Sequence, residues 1–182
     1  IVAIGERAAL PHAPPTSKRI HESGFVLVDW GASGALYKSD LTRMLVPRTN
    51  SAFTKQDIDA KLEAVHGLVL KAQQKALDMI RPGVKGHDVD AAVRAIFSEA
   101  GHGEHFGHGL GHGLGLQVHE APSLRPNSTT VLESGMVVTV EPGIYLPGWG
   151  GVRLEDDVLL TPDGCEILTK IPKGLAESTC SF

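Results

Sequence analysis

Cysteine is scarce in this chain of 182 residues: Cys165 and Cys180 are the only two. That is too few for a disulfide framework, and a reducing, cytoplasmic setting is expected. A basic excess is lacking as well. Seventeen Lys and Arg stand against 21 Asp and Glu, a formal net charge of -4, whereas a dedicated nucleic-acid binder carries the opposite balance. No apolar run approaches the roughly 20 residues that cross a bilayer, so no membrane partner is expected. The start has no signal-peptide pattern; its first residue is Ile1, and residues 1–4 already read as the middle of a strand. The 42% hydrophobic content excludes a disordered chain. Histidine is what the chain has in plenty, with nine residues, five of them between His102 and His119.

Periodicity divides the chain into an α+β order. Residues 1–4 read as a strand, followed by a polar loop with Pro11, Pro14 and Pro15. Residues 25–29 and 37–46 read as a hairpin turning at Gly31 to Gly34. A helix is predicted over 54–80, with Thr54 as N-cap and Ile58, Leu62, Val65, Val69, Ala72, Ala76 and Met79 on its apolar side. A second, over 87–100, is closed by Gly101. Residues 106–119 carry too many glycines for a helix, each costing about 1 kcal/mol there, and read as extended chain passing close to something. Residues 136–140 and 152–160 read as a second hairpin joined through 142–151, and residues from Pro172 onward as a frayed tail. If the two halves are a duplication, the pair of helices before the first hairpin is absent, and an exposed sheet face there invites a second copy or a further segment.

Each hairpin carries two acids inside apolar strand sequence: Asp29 and Asp40 in the first, Glu141 and Glu155 in the second. A buried carboxylate without a partner costs several kcal/mol. Four of them converging from adjacent hairpins repel one another and require cations among them. His108, His112 and His119 follow one another at spacings of four and seven. No glutamate follows His108 directly, so the helical zinc motif H-E-x-x-H does not apply. On an extended segment His108 and His112 share a face, and His119 joins them only if a glycine bend re-aims it. Carboxylates with one imidazole form an oxygen-rich donor set suited to Mn²⁺, Fe²⁺, Co²⁺ or Zn²⁺, and to a bridged pair of such ions.

Asp29 and Asp40 in DWGASGALYKSDLTR, His112 and His119 in HGLGHGLGLQVHEAPSL, Glu141 in VEPGIYLPG and Glu155 in GVRLEDD resemble the motifs of the pita-bread metallopeptidases. The nearest match is the Xaa-Pro group, aminopeptidase P and prolidase. The resemblance implies a pita-bread fold, α+β, with a curved antiparallel sheet covered by helices and here lacking its N-terminal helices. Residues 1–171 would be the catalytic domain and 172–182 a C-terminal tail. It implies two divalent ions, foremost Mn²⁺, with Asp29 on one, His112 and Glu141 on the other, and Asp40 and Glu155 bridging. His12, His108, His119 and Arg153 would face the substrate, with Tyr145 beside them. A metal-bridging hydroxide would cleave the bond before proline in a peptide with proline second. Glu141 would shuttle the proton, His119 would stabilise the oxyanion, and His108 would be the third catalytic residue. A non-catalytic protein-binding module of the same fold, a methionine aminopeptidase-like enzyme and a metal-independent enzyme of the creatinase kind are the alternatives. His21, His66 and His87 are expected at the surface, His102 and His105 in a loop, and Asp156 and Asp157 as acidic neighbours of Glu155.

Overall fold

Helical periodicity resolves into two helices, packed on one another, among the residues that the computed structural model describes, 1–48 and 58–181. Helix α1, Ala60–Met79, opens where the Asp59 side chain accepts from the Leu62 N–H at 2.8 Å, a cap for an otherwise orphaned donor. The Thr54 cap expected above lies outside the described residues. Leu62, Val65, Val69, Ala72 and Ala76 recur at helical spacing and are all buried, against strands of the second half. Helix α2, Gly86–Glu99, buries Val89, Val93 and Phe97 one turn apart. Neither helix is long and apolar enough to cross a membrane.

The strands of the first half are β1, Val2–Ile4; β2, Val26–Trp30; β3, Ser33–Gly34; β4, Tyr37–Lys38; and β5, Leu41–Pro47. Those of the second half are β6, Gly111–Gly113; β7, Glu120–Leu124; β8, Val137–Val140; β9, Gly143–Leu146; β10, Gly150–Arg153; β11, Asp156–Thr161; β12, Gly164–Ile167; and β13, Thr179–Cys180. One sheet has the order β1-β2-β5-β13 and another β12-β11-β8-β6-β7, while β3-β4 and β10-β9 are separate two-stranded ribbons.

The α+β class stands, but the single curved antiparallel sheet does not form. Among the described residues the strands are divided among four sheets, and the first is mixed because β13 runs parallel to β5. The physical reason lies in the connections. In each main hairpin the linking residues satisfy their own backbone groups in a small ribbon, β3-β4 or β9-β10, instead of extending the main ladder. The return strand of the first hairpin therefore starts at Leu41, not Tyr37, and Val152 and Arg153 belong to a ribbon instead of pairing with β8. The two larger sheets meet at a bridge between Thr42 and Glu155. The C-terminal end does not fray: Leu175 is buried and β13 adds to the sheet.

The glycine-rich stretch is extended, as expected, and what it passes is protein backbone. A Cβ on Gly111 would lie 1.9 Å from the Thr139 carbonyl oxygen, and one on Gly113 2.2 Å from that of Ala121. Only glycine lets β6 sit so close between β7 and β8.

Candidate metal centre

Strand alternation delivers the acids to one cleft. Asp29 stands near the end of β2, Asp40 just before β5, Glu141 just after β8, and Glu155 just before β11. All four line a cavity of about 590 Å³, together with His12, His108, His112, His119 and Arg153. One donor atom each from Asp40, His112 and Glu155 lies within 4.8 Å of the others. Glu141 joins through His112, whose Nε2 is 3.3 Å from Glu141 Oε1. Asp29 is turned toward Arg153, with Oδ2 accepting from Nη2 at 2.5 Å.

Each side chain is held from behind. His112 donates from Nδ1 to the Gly113 carbonyl at 3.1 Å, which turns Nε2 toward the carboxylates. Its backbone N–H donates to Thr139 Oγ1 at 3.0 Å, and the same hydroxyl donates to Glu141 at 3.3 Å. The Glu141 N–H reaches the Leu110 carbonyl at 2.8 Å. Helix α2 anchors the histidine segment: buried Asp90 pairs with Arg94 at 2.7 Å and accepts from the Leu110 N–H, while Arg94 donates to the carbonyls of Phe106 and His108. A bulge after His112 re-aims the chain, and the exposed His119 ring stands 4.3 Å from the His112 ring, centre to centre.

Arg153 is the hub. It donates to Asp29, to Tyr145 Oη at 3.0 Å and to Thr42 Oγ1 at 3.1 Å. The Thr42 hydroxyl donates in turn to Glu155 Oε2 at 2.6 Å, and the Tyr145 hydroxyl donates to His108 Nε2 at 2.7 Å. With Nδ1 of His108 donating to the Gly109 carbonyl at 2.7 Å, both of its nitrogens are engaged within the protein. Burial raises the Tyr145 hydroxyl to about 12, so it stays a donor.

The electrostatics are those of a site short of positive charge. Burial, and then the charges of Glu141 and Asp40, push the Glu155 carboxyl well above the ordinary range. Burial, then Asp29, raises Asp40. Asp157, whose Oδ2 accepts from the Asp40 N–H at 3.1 Å, is raised by burial to about 6. Burial opposes the charge of Glu141, but the hydrogen bond from His112 and the nearby positive charge of Arg153 hold its carboxyl below the usual value. Burial opposes a charge on His112 too, and there the bond to Glu141 prevails and raises it. Burial lowers His108, in keeping with a neutral ring. Four carboxylates and one tethered imidazole, with Arg153 already shared among three partners, fit divalent cations of the Mn²⁺ and Zn²⁺ class.

Other expectations changed. His66 is buried, not at the surface, and its Nε2 donates to the Lys173 carbonyl at 2.9 Å. His21 and His87 are exposed, and His102 and His105 flank a turn with Nδ1 atoms 3.2 Å apart. Asp156 is not an idle neighbour: it is fully buried and paired with Arg43 and Lys173, each at 2.6 Å. Sequence reasoning passed over Thr42 and Thr139, and also Trp30, Val118 and Arg125, which line the cleft. Strand alternation was the one available signal for Thr42 and Thr139, because each sits two residues from an acid, Asp40 and Glu141.

Residues 1–162 match the model of metallopeptidase family M24. The Xaa-Pro dipeptidase of Pyrococcus horikoshii is 43% identical over 175 residues, covering 96% of this chain and 48% of that protein. The crystal structure of the prolidase from the same organism superposes with a TM-score of 0.87 at 44% identity, over 96% of this chain and 48% of that one. The X-Pro aminopeptidase from Thermotoga maritima gives 0.88 at 40% identity, over 100% and 48%. The chain spans about half the length of the relatives it matches.

Proposed function

Since the chain belongs to metallopeptidase family M24, we propose that it is the catalytic part of a dinuclear metal-dependent exopeptidase that hydrolyses the bond before proline in Xaa-Pro peptides. The observation that carries this reading is the convergence of Asp40, His112 and Glu155 donor atoms within 4.8 Å of one another, in a cleft also lined by His12, His119 and Arg153. Asp29, Asp40, His112, Glu141 and Glu155 would hold the ions, and Mn²⁺ is the first choice among Mn²⁺, Co²⁺, Zn²⁺ and Fe²⁺. Residues 1–171 are assigned to the catalytic domain. The free thiols of Cys165 and Cys180 accord with the cytoplasm.

When bound, such ions lower the pKa of water and polarise a carbonyl. The chain's own residues do the rest. Hydrolysis adds hydroxyl to the acyl carbon and a proton to the proline nitrogen. Glu141, ionised and beside His112, is placed to accept the proton of water and to hand it to that nitrogen. His119 donates toward the oxygen that gains charge, worth on the order of 10²-fold in rate. His12 and Arg153 face the peptide, and Arg153 with Tyr145 holds Asp29 and His108 in place. His108, with both nitrogens engaged, walls the cleft and orients Tyr145. Proline's tertiary amide offers no N–H, so the site needs no acceptor for one.

The test is release of the first residue from an Xaa-Pro peptide by the purified full-length protein with Mn²⁺ or Co²⁺, and its loss with chelator. Activity that survives chelation sinks the metal mechanism. Cleavage of both a dipeptide and longer peptides would mark an aminopeptidase, and cleavage of the dipeptide alone a prolidase.

A further inference from the structure

Glu155 and Asp156 are neighbours in sequence, and alternation sends their side chains to opposite sides of the sheet. Glu155 enters the cleft. Asp156 enters a second polar cluster behind it, closed off from the cleft by the strands themselves. Arg43, 1% exposed, lies at the centre of that cluster and uses all its donor groups. Nη1 reaches the carbonyls of Thr42 at 2.9 Å and Glu155 at 2.6 Å. Nη2 reaches Asp156 Oδ1 at 2.6 Å and the Ile171 carbonyl at 2.8 Å, and Nε reaches the Pro172 carbonyl at 3.0 Å. Lys173 Nζ bonds the other oxygen of Asp156 at 2.6 Å and Gln73 Oε1 at 3.0 Å. The Gln73 amide then donates to the carbonyls of Val140, at 3.1 Å, and Leu154, at 3.3 Å. Those two residues immediately precede Glu141 and Glu155.

We propose that Gln73, Arg43, Asp156 and Lys173 form a positioning array that sets the separation of Glu141 and Glu155, with residues 171–173 as its clamp. The side chains of the array reach four strand carbonyls: that of Glu155, those of Val140 and Leu154, each one residue before a cleft glutamate, and that of Thr42, whose hydroxyl bonds Glu155. A network built only for stability has no reason to select those four. Gln73, on α1, donates to the carbonyl just before each of the two glutamates, so a shift of the helix or of the clamp moves both glutamates. Arg43 is suited to the central place because its planar fork satisfies several acceptors at once, which an ammonium cannot. The array touches no substrate and rests on the proposed metal centre for its consequence.

The experiment compares Gln73→Leu, Lys173→Met and Lys173→Arg with the wild type, and with Leu132→Ala, a buried core variant that belongs neither to the array nor to either helix. Mn²⁺ affinity and stoichiometry are measured by calorimetry, with melting temperature, kcat and KM alongside. Gln73→Leu and Lys173→Met are expected to weaken Mn²⁺ binding about 10- to 100-fold, the range seen when groups behind metal ligands are removed. kcat should fall while KM for the peptide stays within about twofold, and Lys173→Arg should recover part of the loss. Leu132→Ala should lower the melting temperature and leave Mn²⁺ affinity unchanged. If loss of affinity merely tracks melting temperature across all four variants, or the array variants bind Mn²⁺ as the wild type does, the array is structural only and the proposal fails. Should Gln73→Leu not fold, the Lys173 pair carries the same test, since that side chain lies at the partly exposed edge of the cluster. A wild type that binds no Mn²⁺ overturns the metal centre itself, a result separable from the others.

Discussion

The two sides of the strand junction at Thr42 and Glu155 treat buried charge in opposite ways. On the cleft side four carboxylates gather around one guanidinium, and Glu155 and Asp40 are pushed toward the neutral form by burial and by their neighbours. On the other side one carboxylate, Asp156, receives two cations, Arg43 and Lys173. The second cluster pairs its carboxylate without help, and its surplus positive charge is spread over backbone carbonyls and the Gln73 amide oxygen. The first is balanced only when cations arrive. A buried charge is tolerated when it is paired and hydrogen-bonded, and costly otherwise. The contrast therefore separates a place for binding from a place for support, although both are built from adjacent residues of the same two strands.

The sharpest way to break the contrast is Asp40→Ala, which removes a donor from the unbalanced side. Turnover is expected to fall to the level of the chelated protein, with bound metal reduced by at least one equivalent in elemental analysis. A variant that keeps the full metal content contradicts the assignment of Asp40. This change should cost little in folding stability, because it relieves repulsion.

Arg43→Met should do the reverse. It leaves Asp156 with Lys173 alone and strands several backbone carbonyls, so denaturant unfolding should register a loss of about 3–5 kcal/mol. Equal stability losses for Asp40→Ala and Arg43→Met would erase the distinction between the two sides.

The smallest effect concerns His66, which ties α1 to the clamp through the Lys173 carbonyl. Burial lowers its pKa below the ordinary value. The unfolded chain then binds the proton more readily, so stability is full above the unfolded value of about 6.5 and is lost as pH falls through the lower folded value. Melting temperature should drop on going from pH 7 to pH 5, and drop less in His66→Gln. The same slope in both proteins would remove His66 from the account.

The elements and the acids were largely legible. The apolar stripe from Leu62 to Ala76 announced α1, and Asp29, Asp40, Glu141 and Glu155 stood out because carboxylates are out of place in apolar strands. The bend that brings His119 to His112 was only conditionally legible, since a bulge depends on the neighbouring strand. The ribbons β3-β4 and β9-β10 were not, because short connections choose their own pairing after the main strands meet. His66 and Lys173 looked like ordinary surface residues. Nothing local distinguishes a solvated lysine from one that spans Asp156 and Gln73, which are 17 and 100 residues away.

Sequence by itself determined which residues are hydrophobic at helical or strand spacing and which acids fall where water should be excluded, and from these came the expectation of cations among them. Those are properties of a residue and its near neighbours, carried by covalent geometry. Tertiary structure alone decided that Glu155 faces a cleft while Asp156 faces Arg43, that the described strands divide among four sheets, and that the C-terminal segment packs behind the site. Burial and pairing across a hundred residues are properties of the folded arrangement, because solvent exclusion is a collective effect that no single stretch of chain possesses.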